Sequence, residues 1–452
     1  MNKTSRRSFL KTTGAAALGP LLTQGAEKER PNIIFIMADD LGYGDLGCYG
    51  QKLIQTPRID RMAREGIRFT HCYAGSPVCA PARNALMTGQ HTGHTRIRGN
   101  SPLVGGTVEA FGEGQRRVSL EAEDVTVAQL LKHAGYATGI TGKWGLAEPD
   151  TAGVPNQKGF DEWLGYLNQN HAAYYFTTYL WKNRQKLVLE GNQDGRKRQY
   201  THDLFTDFAL DFVQRERNGP FFLYLAYTIP HDKLEVPKIE PYVDQAWPGR
   251  AKVYASMITR MDRDVGRLLD CVKKLDLDSS TIVFFCSDNG APDRPWGDLF
   301  RSRGQLRGKK GELYEGGIRV PMIVRWPSQI PRGRTSEAVW YFPDFLPTAC
   351  ALAGVDSPKS DGIDISTVLH GTAEALPDRF LYWEFHNDGL QQAVRWKNWK
   401  AVRPRKDRQL ELYDLPEDLS EQRNLAGERP DVVSRITAFL KTARTGSRYW
   451  PA

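Results

Sequence analysis

The sequence contains no Cys-x-x-Cys pair. Its six cysteines stand apart at positions 48, 72, 79, 271, 286 and 350, so neither a structural zinc site nor a dense disulfide framework is indicated. Beyond its first residues the chain has no apolar run long enough to span a bilayer. Internal repeats and low-complexity segments are also missing. No basic tract carries interleaved aromatics, which removes the sequence argument for nucleic-acid binding.

What is present is a globular composition: 452 residues, of which 40% are apolar, 25% charged and 11% aromatic. That length buries one large core and leaves room for a second, smaller domain. The first residues differ from the rest. MNKTSRRSFLKTTGAAALGPLLTQGA has a basic start, an apolar run from Ala15 to Leu22 and small residues at Gly25 and Ala26, the pattern of a signal peptide over 1–26. Within it SRRSFLK, with Arg6 and Arg7 as the pair, resembles the twin-arginine export signal. The expectation is an exported, periplasmic protein that crosses the membrane already folded, its cysteines buried as thiols. Removing 1–26 takes away four basic residues and no acid, so the formal charge of +8 falls to +4. Such a balance suits an anionic substrate without requiring one.

From residue 32 onward, short apolar runs alternate with amphipathic segments, which predicts an α/β core. NIIFIMADD (32–40), YATGITGK (136–143), GPFFLYLAYTIPH (219–231), STIVFFCSDNG (280–290) and IRVPMIVRWP (318–327) read as strands. TPRIDRMAREG (56–66) reads as a helix with Thr56 as N-cap, Pro57 in the first turn and Gly66 at the end. Residues 126–135, 250–276 and 344–354 read as helices too. After about residue 370, FLYWEF, QQAVRW, WKAVRP and ELYDL alternate apolar and polar residues like an antiparallel sheet, with a helix to follow over 430–443. The division expected is a leader, 1–26, a main domain, 30–370, and a small C-terminal domain, 371–452.

Four of the predicted strands end in chemically able residues: Asp39 and Asp40, Lys143, His231, and Asp288 with Asn289. Ligand sites of open α/β sheets lie at the carboxyl ends of the strands, and four such endings together are hard to assign to turn chemistry. Three carboxylates and an amide oxygen, with no imidazole or sulfur among them, suit calcium or magnesium rather than zinc. Arg83, Lys143 and Lys310 add positive charge, and such cations beside a metal and a helix N-terminus would receive a tetrahedral oxyanion. Cys79 sits four residues before Arg83, on the same helical face. Packing, a disulfide, a thiolate nucleophile and a cysteine destined for modification are the readings open to it. A soft sulfur is a poor partner for a hard, oxygen-bound cation.

The chain resembles the type I sulfatases of the alkaline-phosphatase-like superfamily. The resemblance is carried by Cys79-Ala80-Pro81-Ala82-Arg83 with NALMTGQHTG after it, by GYATGITGKWG (135–145), and by SDNG followed by LRGKKGELYEGGIRVP. ADDLGYGDLGCYG and the Pro-His of 230–231 fit in order, so the likeness runs from about Pro31 into the C-terminal domain. It implies an α/β/α sandwich around a large mixed sheet, plus a small C-terminal α+β domain with an antiparallel sheet. It implies sulfate ester hydrolysis, with a sulfated carbohydrate as substrate, as in exported bacterial glycan sulfatases and arylsulfatase A-like proteins. Cys79 would be oxidised to formylglycine by a formylglycine-generating or anaerobic sulfatase-maturating enzyme. Calcium, in preference to magnesium, would bind Asp39, Asp40, Asp288, Asn289 and the residue made from Cys79. Arg83 would steady the formylglycine hydrate, Lys143 and Lys310 would hold sulfate oxygens, and His231 would protonate the leaving alcohol. Register favours Lys310 over the adjacent Lys309.

One departure stands out. The family usually places a histidine two residues after the lysine of GKW, and here that position is Gly145. The base expected there is missing or comes from elsewhere. Two rival readings are a phosphate or phosphonate ester hydrolase of the same fold and, if Cys79 stays a thiol, a non-catalytic binder of sulfated glycans.

Overall fold

Every residue of Asn32–Ala38 is buried, and the reason is a core on each side of the strand. Ile33, Phe35 and Met37 enter one apolar cluster, while Ile34, Ile36 and Ala38 enter another. A strand covered on both faces has no polar side to alternate with, so it reads as a continuous apolar run. The structure, a computed structural model, describes Met1, residues 30–112 and residues 114–451. The expected leader, apart from Met1, lies outside the described residues.

The large sheet has eleven strands. Its centre is parallel: Thr281–Ser287, Asn32–Ala38, Phe221–Ala226, Ala137–Lys143 and Glu162–Tyr166 lie side by side in that order. Arg319–Arg325 joins Thr281–Ser287 antiparallel, and Ile67–Tyr73 then joins Arg319–Arg325 antiparallel, so the sheet is mixed. The helices Cys79–Thr88, Val127–His133 and Phe345–Ala353 supply residues to one core, and Pro57–Glu65, Thr201–Arg215 and Gly249–Lys274 supply the other. The result is a three-layer α/β/α sandwich.

Local sequence explains several boundaries. Thr126 caps Val127–His133 in a reciprocal pair: its Oγ1 accepts from Gln129 N at 3.3 Å, and Gln129 Oε1 accepts from Thr126 N at 3.0 Å. Thr56 precedes Pro57–Glu65 but makes no cap bond; its hydroxyl accepts from Gly47 N instead. The strand expected to run to His231 stops at Ala226, and a loop carries the chain on to His231. The last helix ends at Leu440 rather than 443.

Phe380–His386, Leu390–Trp396, Trp399–Arg403 and Glu411–Asp414 form a separate antiparallel sheet in sequence order. Alternation again sets its two faces. Leu381, Trp383 and Phe385 pack on Tyr73, Val78, Ile318 and Tyr341 of the main body, whereas Tyr382 faces Val432 and Ile436 of Pro430–Leu440. Trp383 also donates from its indole to Ala74 O at 2.8 Å, which ties this sheet to the segment leading into Cys79.

Candidate active site

The carboxyl ends of four adjacent parallel strands meet at one edge of the large sheet. Asp39 and Asp40 follow Ala38, Asp288 and Asn289 follow Ser287, Lys143 closes its own strand, and His231 stands five residues beyond Ala226. Two further pieces arrive from outside the sheet. Cys79 is the first residue of Cys79–Thr88, with Arg83 one turn along, and Lys310 comes on the loop before Glu315–Ile318. Asp40 has φ 67°, a left-handed conformation that aspartate tolerates better than most residues. Gly290 lets the strand end lie against the Glu315–Ile318 turn, since a Cβ there would stand 1.9 Å from Gly316 O.

All nine residues singled out from the sequence come together. Cys79 Sγ lies 3.4 Å from Asp39 Oδ1, and Lys143 Nζ donates to Asp39 Oδ2 at 2.7 Å. Lys310 Nζ donates to Asp40 Oδ2 at 2.8 Å, while His231 Nε2 stands 3.6 Å from the same oxygen. Arg83 donates twice to Asp288 Oδ2, at 3.1 and 2.8 Å, and once to Lys143 O at 2.7 Å. Asn289 Nδ2 donates to Asp40 Oδ1 at 2.8 Å. Cys79, Asp39, Arg83, Lys143, Asp288 and Asn289 are sealed from solvent. Only His231 and Lys310 keep appreciable side-chain exposure, 22% and 18%, so they mark the mouth of the site.

The electrostatics follow from crowding. Burial opposes ionisation of Asp39, but Lys143, His231 and Arg83 outweigh it and hold the carboxyl far below its usual range. Burial pushes Asp288 up to about 7, with the charge of Asp39 adding to the effect against Arg83. Burial, reinforced by Asp39, raises the Cys79 thiol well above its ordinary value and disfavours the thiolate. Burial also lowers His231, against the pull of Asp40. The ring is oriented by Nδ1, which donates to Asp232 O and leaves Nε2 facing the site.

A hard cation fits these residues. Asp39, Asp40, Cys79 and His231 each present a ligand atom, all within 4.8 Å of one another. Asn289 Oδ1 is buried with no hydrogen-bond partner, although its amide nitrogen has two acceptors. Asp288 Oδ1 receives only Asp40 N, at 3.2 Å, because Arg83 engages the other oxygen. Oxygen-rich donors of this type match calcium or magnesium.

The adjacent lysines separate by direction. Lys310 turns inward to Asp40, whereas Lys309 pairs with Asp293 at 3.0 Å on the surface. Two residues near the site were not singled out from the sequence. Tyr175, buried, donates from its hydroxyl to Thr228 O at 2.9 Å and to His231 O at 2.6 Å, fixing the histidine loop. Gln169 lies over Gly145 and donates to Gly145 O at 3.1 Å. Neither carries a motif; the only signal was the glycine itself, which left a place for a side chain from elsewhere.

The Sulfatase family profile matches residues 31–355, and the profile for the C-terminal part of N-sulphoglucosamine sulphohydrolase matches residues 309–445. Arylsulfatase A of Homo sapiens is 33% identical over 400 residues, covering 82% of this chain and 74% of that protein. N-acetylgalactosamine-6-O-sulfatase of Bacteroides thetaiotaomicron is 28% identical over 501 residues, covering 93% and 94%. Among solved structures, Ps i-CgsB in complex with k-i-k-neocarrahexaose matches with a TM-score of 0.79 at 29% identity, over 94% of this chain and 95% of the other.

Proposed function

This chain belongs to the sulfatase family, and from that premise we propose that it removes sulfate from a sulfated carbohydrate through a formylglycine made from Cys79 beside a bound calcium ion. Its fold is the alkaline-phosphatase-like one, and it is a sulfuric ester hydrolase. The observation that carries the finer reading is the setting of Cys79: a sealed thiol at a helix start, 3.4 Å from a carboxylate, near the charges of Lys143 and Lys310 and within 4.8 Å of a His231 ring nitrogen. A thiol held protonated among hard oxygens has no evident use as it stands.

Asp39, Asp40, Asp288 and Asn289 would hold the calcium ion, which when bound supplies positive charge to the sulfate oxygens. The aldehyde made from Cys79 would supply, as its hydrate, one hydroxyl to attack sulfur and a second to release the sulfate. Lys143 and Lys310 neutralise the sulfate oxygens from opposite carboxylates, Asp39 and Asp40. Arg83 keeps Asp288 and the end of the Lys143 strand in register through its bonds to both. His231 Nε2, at the mouth, would deliver a proton to the alcohol oxygen as the sulfur–oxygen bond breaks, from a ring that is protonated on both nitrogens once the anionic substrate is in place.

A saccharide substrate is supported by the names of the relatives, one an N-acetylgalactosamine-6-O-sulfatase and one bound to neocarrahexaose. Export by the twin-arginine route is supported by SRRSFLK and the apolar run after it. It would let a maturating enzyme of the formylglycine-generating or anaerobic class act in the cytoplasm first. Among the described residues no helix is long and apolar enough to cross a membrane.

Peptide-mass analysis of active protein, alongside sulfate release from 4-nitrophenyl sulfate, tests this reading. The expected result is an aldehyde at position 79 in the fraction that turns over. Full activity with an unmodified thiol would overturn it.

A further inference from the structure

The mouth of the site has an organised flank on the His231 side. Lys233, two residues beyond His231, is exposed, and its Nζ stands 3.6 Å from the centroid of the Tyr174 ring. Tyr174 is 39% exposed, one of ten exposed large hydrophobic residues among the described ones, and Phe111 braces its ring at 5.3 Å in an edge contact. The backbones of Tyr174 and of His231 are held. Tyr166 donates from its hydroxyl to Tyr174 O at 2.8 Å, and the next residue, Tyr175, holds the His231 carbonyl.

Among the described residues Lys233 has no carboxylate partner, and its ammonium rests on the Tyr174 ring. Its neighbours are committed elsewhere: Asp232 pairs with Arg294 and Arg250, and Glu235 with Lys197. No carboxylate of the described residues lies within ion-pair distance of Lys233. His231 stands at the mouth, two residues before Lys233, and its carbonyl is held by Tyr175, the residue after Tyr174, so this flank adjoins the side on which the alcohol part would lie.

Resting on the proposed sulfatase reading, we infer that Tyr174 and Lys233 form a subsite for the sugar next to the one losing its sulfate, and that this sugar is itself anionic. The apolar C–H face of a pyranose stacks on Tyr174 as the Lys233 ammonium moves off the ring it rests on to pair with an oxyanion of that sugar. A sulfate or a uronate carboxylate supplies that oxyanion. The sealed pocket reads the scissile sulfate; this flank reads the charge of its neighbour.

Competition against 4-nitrophenyl sulfate, whose leaving group is a single aryl ring with no neighbouring sugar and no second anionic group, tests the subsite with the purified, matured protein. Three probes are used: N-acetylgalactosamine 6-sulfate, the chondroitin 6-sulfate disaccharide that adds a uronate, and a disulfated carrageenan disaccharide. At least one charged disaccharide is expected to inhibit about tenfold more tightly than the monosaccharide. Which of the two does so identifies carboxylate or sulfate. In Lys233→Met that advantage, measured against the KM for 4-nitrophenyl sulfate, shrinks to less than about twofold, and Lys233→Arg restores most of it. Tyr174→Ala is expected to weaken the uncharged and charged disaccharide contacts alike, and a disaccharide advantage unchanged in Tyr174→Ala would remove the stacking contact. No disaccharide advantage in the natural protein, or an advantage that survives Lys233→Met, overturns the subsite and leaves the sulfatase reading standing. Failure to release any 4-nitrophenol overturns the sulfatase reading and the subsite with it.

Discussion

Gln169 occupies the space that a side chain at Gly145 would need: a Cβ on Gly145 would lie 2.2 Å from Gln169 Nε2. Gly145 also has φ +73°, in the left-handed region where a β-carbon is strained. A carboxamide is neither acid nor base near neutral pH, so the place of the usual histidine is filled by a group that cannot take a proton. His231 is then expected to serve both half-reactions in turn. Pre-steady-state hydrolysis of a fast-leaving aryl sulfate should show continuing turnover after the first equivalent of alcohol. A single burst and no turnover would contradict this.

The same pair predicts a stability effect. Gly145→Ala should lower stability by about 1–3 kcal/mol, part from the backbone and part from the displaced amide. Adding Gln169→Ala should recover only the second part, because the φ strain stays. Thermal or denaturant unfolding of the two single variants and the double variant measures the split.

Cys79→Ser is expected to lower sulfate ester hydrolysis by about a thousandfold or more, since a plain hydroxyl lacks the second oxygen for release. Initial rates on 4-nitrophenyl sulfate check it. A variant within tenfold of the natural protein would remove the formylglycine mechanism.

Asp288→Ala is expected to lose both bound metal and activity, because Asp288 anchors Arg83 and abuts Asp40 as well as offering an oxygen. Elemental analysis of active protein should return calcium, or magnesium in its place. Stoichiometric zinc with neither of them would refute the assignment.

Acid stability should depend on Glu384, which is buried at the junction of the two sheets' bodies. Burial alone would raise its pKa, but His386, Arg444 and Arg98 draw it down to about 2. A carboxyl depressed in the folded state stabilises above its unfolded value and loses that contribution as pH falls through the folded one. Glu384→Gln should therefore be less stable at neutral pH by an amount on the order of 3 kcal/mol, with the gap to the natural protein closing between about pH 4.5 and pH 2. Denaturant unfolding at several pH values reads the difference; a gap independent of pH would rule out the ionic contribution.

Local chemistry made much of this protein legible in its sequence. The buried strands announce themselves as apolar runs because both faces are covered, and each ends abruptly where Asp39, Lys143 and Asp288 meet the edge of the sheet. The helix at Thr126 and the alternating C-terminal strands were readable for the same reason: a cap and a two-residue period act over a few positions. Relations between distant residues needed the tertiary structure. Ile67–Tyr73 and Glu162–Tyr166 were not recognised as sheet members, since their neighbours, Arg319–Arg325 and Ala137–Lys143, are set by strand order and not by their own pattern. Lys310 and Lys309 are the same residue type side by side, and only the loop's path sends one to Asp40 and the other to Asp293. Gln169 reaches Gly145 because adjacent parallel strands end side by side, 24 residues apart in the chain. Sequence determines which groups the chain can offer at each strand end; the packing of the sheet decides which of them face one another.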